Sequence, residues 1–158
     1  MPFVRINLNR DTSPEAAHAI SDVIYDSMTA IANVPQHDKF QVITRHAPDE
    51  LVYPAEGYLG VRYSPNIVFI QVTWNAGRSV DVKKAFYRAV ADGIHAKTGV
   101  RKEDVWINLV EVNREDWFLE TARCNTRRNK RPFALHAAAS STASSTSAQA
   151  VAKQSMHA

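Results

Sequence analysis

The chain has 158 residues, of which 45% are hydrophobic and 22% charged, with five glycines, seven prolines and one cysteine; this fits one or at most two globular domains and excludes a coiled coil or a collagen. Cys124 has no second thiol to bond with, and no CxxC or Cys/His ligand cluster occurs, which removes an internal disulfide and a structural zinc site together. The formal charge of +3 is unevenly spread: residues 123–158 hold six of the nineteen Lys and Arg and no Asp or Glu, so residues 1–122 carry thirteen basic against sixteen acidic side chains, a formal −3.

Basicity therefore belongs to the tail, where a solvated basic linker is the expected reading, and a nucleic-acid partner is not expected. From Ala134 the text is rich in Ala, Ser and Thr and poor in large apolar groups; such a segment buries too little surface to offset the cost of ordering it. The expected organisation is a domain over 1–122 and a basic, Ser/Ala-rich, disordered tail over 123–158. No apolar run approaches the roughly 18 to 20 residues that span a bilayer, and MPFVRINLNRD carries charges where a signal peptide needs its apolar stretch. A soluble, cytoplasmic protein is expected.

Phe3, Val4, Ile6 and Leu8 form a first apolar-rich strand, alternating from Val4 onward. Thr12 or Ser13, followed by Pro14 and Glu15, supplies a helix start, and Ala16, Ile20, Val23, Ile24, Met28 and Ile31 then recur at helical spacing. Asn33 before Val34 and Pro35 ends that helix. A second strand follows over Phe40 to Thr44. Arg45 to Pro65, with three Pro and two Gly, reads as a long connection holding at most a short hairpin.

The pattern then repeats. A shift of 66 positions without a gap aligns Phe3 with Phe69, Asn9 with Asn75, Ser13 with Ser79, Ala19 with Ala85, Val34 with Val100 and Asp38 with Asp104. Ile67 to Val72, IVFIQV, is the more continuous run expected of a buried strand. Ser79 caps a helix carrying Val82, Phe86, Ala89, Val90 and Ile94, Gly99 ends it, and Val105 to Val112 is the last strand. The fold class is α+β: two βαβ units, about 2–46 and 66–112, each a right-handed parallel crossover, sharing a four-stranded sheet with both helices on one face. Phe69, Phe86 and Trp106 are expected in the core. The other, apolar face is left uncovered, which predicts a symmetric oligomer joined through the sheet.

This topology gathers three distant stretches. In a parallel pair both strands begin at one edge, so Pro2 and Asp38 are neighbours. If the two units run antiparallel, the end of the third strand, Trp74 to Arg78, reaches the same edge, bringing the aromatic groups Phe40, Trp74 and Trp117 as pocket walls. Excision of Met1 would expose a secondary amine at Pro2. An α-amino group titrates near about 7.7 to 8.0, and burial pushes it down towards neutrality. Such a group can take a proton from the carbon beside a carbonyl or attack the carbonyl itself. Arg78 could hold a carboxylate bidentately, and Asp38 could orient water or shuttle a proton.

MPFVRINL, VPQHDKFQVI, the GRS-VDVKKAFYRAVADGI segment and the βαβ duplication resemble the tautomerase superfamily, most closely its malonate semialdehyde decarboxylase branch, over about residues 2–117. The resemblance implies catalysis by Pro2, assistance by Asp38, carboxylate binding by Arg78 and a homotrimer. It also marks a departure: the decarboxylases have two arginines separated by one residue in this loop, whereas Ala76 stands two positions before Arg78, and FLETARCNTRRNK does not match their aromatic and Gly-rich ending. The expected function is therefore a tautomerase, without cofactor or metal, acting on a small enol or keto carboxylic acid. A decarboxylase-like or hydratase-like enzyme on the same scaffold is the alternative, and a non-catalytic oligomeric binding protein is the alternative of another class.

Overall fold

The computed structural model describes residues 1–118; the tail expected from residue 123 lies outside them. Strand β1 (Pro2–Asn9), helix α1 (Pro14–Ile31), strand β2 (Gln41–His46), strand β3 (Val68–Asn75), helix α2 (Val80–Thr98) and strand β4 (Val105–Val112) follow in chain order. The sheet order is β2-β1-β3-β4. β1 is parallel to β2, β3 is parallel to β4, and β1 is antiparallel to β3. The two βαβ units expected from the repeat thus meet back to back at the centre, and the condition that they run antiparallel is met. The long connection carries a single 3-10 turn, Pro48–Glu50, and one isolated bridge between Tyr58 and Val61.

Each helix starts and stops where its sequence signals stand. Ser13, not Thr12, caps α1, its hydroxyl accepting from the Ala16 amide, with Pro14 in the first turn. Asn33, at a left-handed φ of 53°, turns the chain after α1, and the Val34 amide reaches back to the Met28 carbonyl at 3.2 Å. Ser79 caps α2, and Gly99 closes it at φ 74°. The helices pack closely: a Cβ on Gly93 would lie 2.7 Å from Val23 Cγ1, so hydrogen alone fits where α2 crosses α1.

Val4, Ile6 and Leu8 of β1 and Ile70, Val72 and Trp74 of β3 interlock with Ile20, Ile24 and Met28 of α1 and Phe86, Val90 and Ile94 of α2, all fully buried or nearly so. At about 25 cal/mol per Å² of apolar surface removed from water, burial on this scale dominates stability.

Three expectations are revised by the register. β3 runs on through Thr73, Trp74 and Asn75, because β1 pairs from Pro2 and requires Trp74 opposite it. Phe86 lies in the core, but Phe69 and Trp106 point to the open face of the sheet, where their rings meet edge to face at 5.7 Å and Trp106 is half exposed. That face is also not the apolar surface expected. Arg5, Asn7, Gln71 and Asn108 sit among Phe69 and Trp106 around a shallow hollow of about 420 Å³, with Gln71 Nε2 donating to Asn108 Oδ1 at 3.1 Å. Among the described residues no helix is long and apolar enough to cross a membrane.

Candidate active site

The starts of β1 and β2 and the ends of β3 and β4 share one edge of the sheet. Pro2 is buried there, opposite Trp74. The Val4 amide donates to the Phe40 carbonyl at 3.0 Å, which ties the beginning of β1 to the segment entering β2.

That segment is latched onto α1. The His37 amide donates to the Tyr25 hydroxyl at 2.8 Å, and Lys39 Nζ lies 2.7 Å from Asp22 Oδ1 and over the Tyr25 ring. His37 adopts φ 70°, a left-handed conformation costly for a non-glycine residue. The turn it makes turns Asp38 inward. Asp38 Oδ2 lies 3.3 Å from the Met1 amine, and its side chain is 13% exposed. Its Oδ1 is buried and has no hydrogen-bond partner among the described residues. A buried carboxylate oxygen without a donor costs free energy; such a group is what a site retains for a ligand or water.

Arg78 follows the end of β3. Its Nε donates to the Ala32 carbonyl at 3.1 Å and its Nη1 to the Asn75 carbonyl at 2.8 Å, while the guanidinium stacks 4.3 Å from the Trp74 ring centre. Two neutral carbonyls and an indole fix its orientation without neutralising it. Among the described residues no carboxylate forms an ion pair with it. Burial pulls the guanidinium below its ordinary value, with Glu111 opposing, yet an arginine stays charged at neutral pH. The remaining donors on Nη1 and Nη2 are the kind that grip a carboxylate in two-point fashion.

The aromatic residues divide. Trp74 is fully buried, packed on Phe86 with ring centres 5.2 Å apart; it supports Arg78 from beneath instead of presenting an exposed wall. Trp117 Nε1 donates to Asn75 Oδ1 at 2.8 Å, which brings the segment after β4 to this edge. Phe40 is half exposed at the entry to β2. The sequence reasoning missed Asn75, whose carbonyl holds Arg78 and whose side chain holds Trp117. Its alignment with Asn9 in the repeat was the available signal, since Asn9 also ends a strand and bonds out of it, to the Pro65 carbonyl at 3.1 Å. Among the described residues no group of three His, Cys, Asp or Glu is placed to hold a metal ion.

Among the described residues the edge therefore collects the chain start, a carboxylate with one oxygen lacking a partner and a guanidinium without an ion pair. Chemically it can accept a proton, hold one and orient a carboxylate. Two family models for tautomerase enzymes match the chain, one over residues 38–119 and the other over residues 2–62. The probable tautomerase YusQ of Bacillus subtilis (strain 168) is 39% identical over 123 residues, 78% of this chain and 96% of that protein. The crystal structure of FG41 malonate semialdehyde decarboxylase inhibited by 3-bromopropiolate superposes with a TM-score of 0.70 at 32% identity, covering 76% of this chain and 90% of that one. A fused 4-OT in a symmetric trimer shares the fold, with a TM-score of 0.63 at 18% identity over 75% of this chain and 92% of that one.

Proposed function

Because the chain belongs to the tautomerase family and is an isomerase of that kind, we propose that it moves a proton within a small enol or 2-oxo carboxylic acid, using the ring nitrogen of Pro2 once Met1 has been removed. The observation that carries this reading is that Asp38 stands at the head of β1, its Oδ2 3.3 Å from the nitrogen of Met1, the residue to be removed, with buried Pro2 next in the chain. Loss of Met1 leaves a secondary amine at the head of the strand, on a ring whose φ is fixed. Desolvation favours its neutral, basic form and the Asp38 charge favours its protonated form, so the nitrogen can both take a proton and return it.

In the forward direction the nitrogen accepts the enol hydroxyl proton, the C=O bond forms as the C=C bond opens, and the carbon end of the former double bond receives a proton from the ring ammonium. No electrons leave the substrate. Arg78 holds the substrate carboxylate, and this fixes which carbon faces the nitrogen. Phe40 and Trp117 flank the site. The test is turnover of phenylenolpyruvate or 2-hydroxymuconate by Pro2→Ala: near-complete loss with an unchanged circular-dichroism spectrum is expected, and full activity in that variant would remove the proposal.

The likeness to FG41 malonate semialdehyde decarboxylase, together with a crystallographic relative at 26% identity described as a malonate semialdehyde decarboxylase with hydratase activity, supports a second reading on the same groups. Asp38 Oδ1, which has no partner among the described residues, suits a water-accepting role. Ala76 in place of a second loop arginine favours tautomerisation, which needs one anchor only. Product analysis with malonate semialdehyde separates the two. Assembly as a homotrimer through the open sheet face is part of the proposal, supported by the half-exposed Trp106 on that face and by the trimeric fused 4-OT relative; light scattering at micromolar concentration checks it.

A further inference from the structure

We infer that Lys83 and Glu111 form an internal pair that keeps Arg78 available to the substrate, making Lys83 a positioning residue for carboxylate affinity. The inference rests on the proposed role of Arg78 as anchor and extends it to two residues that no sequence pattern singled out.

Glu111 is the register partner of Trp74 across β3 and β4. Register partners in a parallel pair project to the same side of the sheet, so Glu111 shares the helix side with Trp74 and with the guanidinium stacked upon it. Its negative charge opposes the lowering that burial imposes on the guanidinium. A free carboxylate at this position would compete with a substrate carboxylate for the unused Arg78 donors. Two neutral carbonyls already hold the guanidinium in place, and they offer no such competition.

Lys83 prevents it. In the first turns of α2, five positions after Arg78, Lys83 places Nζ 2.8 Å from Glu111 Oε2. The two side chains are 24% and 32% exposed, so the pair is less screened than one in open solvent. With Lys83 in place, the Glu111 carboxylate is engaged by another cation. Removing Lys83 leaves Glu111 with Arg78 as its neighbouring cation, and the anchor is partly occupied before substrate arrives.

The test measures KM and kcat with phenylenolpyruvate at low ionic strength, and in parallel the binding of phenylpyruvate by calorimetry to full-length Pro2→Ala protein, which is not expected to turn it over. Lys83→Met should raise KM and weaken binding about three- to tenfold, the scale of one partly screened charge, while kcat changes less than twofold. Lys83→Arg should bind as the parent does. Adding Glu111→Gln to Lys83→Met should restore binding to within about twofold of the parent, since the competitor is then gone. A purely structural pair would give no such rescue.

Unchanged binding in Lys83→Met, or a double variant as weak as Lys83→Met, overturns the inference. If Arg78→Ala binds phenylpyruvate as well as its parent, the anchor role of Arg78 fails and the inference with it; if Arg78→Ala is weak and Lys83→Met is not, the inference alone fails.

Discussion

Asp38 and Asp104 stand at the same place in the two repeats, each just before the second strand of its βαβ unit, and the protein treats them differently. Asp104 is fully buried and saturated. It accepts from the Ser64 amide and hydroxyl at 2.7 Å each, and from Arg101 Nε and Nη2 at 2.8 Å each. Asp38 touches the Met1 amine, and its other oxygen has no partner among the described residues. The strands beside them differ in the same sense: Val68 occupies in β3 the place of Pro2 in β1, and Thr12 follows β1 where Arg78 follows β3. The hollow at the Asp104 end, about 190 Å³, is lined by Thr12, Ser13, Asn66, Val68, Thr98 and neighbouring groups, with neither a terminal amine nor a guanidinium among them. One repeated arrangement is thus a saturated structural clasp at one end of the sheet and, in the proposed function, the reactive edge at the other. What separates them is whether the carboxylate's partners are built in or left to be supplied.

This contrast can be broken by experiment, beginning with the largest expected effect. Pro2→Ala removes the ring geometry of the base and should lower kcat/KM by about 10²–10⁴, the range for a positioned acid or base, as measured by ultraviolet assay of phenylenolpyruvate; Val68→Ala at the other end should leave kcat unaltered. Asp104→Asn should cost about 2–4 kcal/mol in urea unfolding, because it strips the charge that satisfies Arg101 and the Ser64 donors, while kcat stays near the wild-type value. Asp38→Asn should do the reverse, lowering kcat about tenfold or more for loss of a charge beside the base, with unfolding changed by less than about 1 kcal/mol.

The acid limb of the stability curve sharpens the same point. Burial alone would raise the Asp104 carboxyl, but hydrogen bonds from Arg101 and Ser64 outweigh it and hold the group below its ordinary value of 3.8. A carboxyl depressed in the folded state contributes stability that is full above the unfolded value and is lost as pH falls through the folded one. Wild-type unfolding free energy should therefore decline as pH falls below about 4, and Asp104→Asn should flatten that decline, which denaturant titrations at several pH values will measure. The smallest effect is expected from Trp117→Phe: with its hydrogen bond to Asn75 gone, KM should rise about two- to fivefold, corresponding to roughly 0.5–1 kcal/mol.

Much of this was legible before any coordinates. The 66-residue self-similarity implied two βαβ units, the caps at Ser13 and Ser79 located both helices, and parallel pairing alone brought Pro2 and Asp38 to one edge. The antiparallel join of the units then carried the Trp74 to Arg78 stretch to that same edge. Less legible was anything that depends on register. IVFIQV is apolar except for Gln71, so its alternation is nearly hidden and Phe69 reads as core, as does Trp106 in the last strand; only the register of Ile70 with Ile6 and Ile107 fixes which side each residue takes. Contacts made by main-chain carbonyls left no trace in the sequence, which is why the grip of Ala32 and Asn75 on Arg78 could not be anticipated. The Lys83 to Glu111 pair spans helix and strand and has no characteristic spacing.

The account turns on one nitrogen, and a mass-resolved activity measurement addresses it most directly. Two preparations of the full chain, one beginning at Pro2 and one retaining Met1, would be verified by intact mass spectrometry and assayed side by side with phenylenolpyruvate. Turnover confined to the chain that begins at Pro2 is the predicted result; equal rates from the chain that keeps Met1 would contradict it.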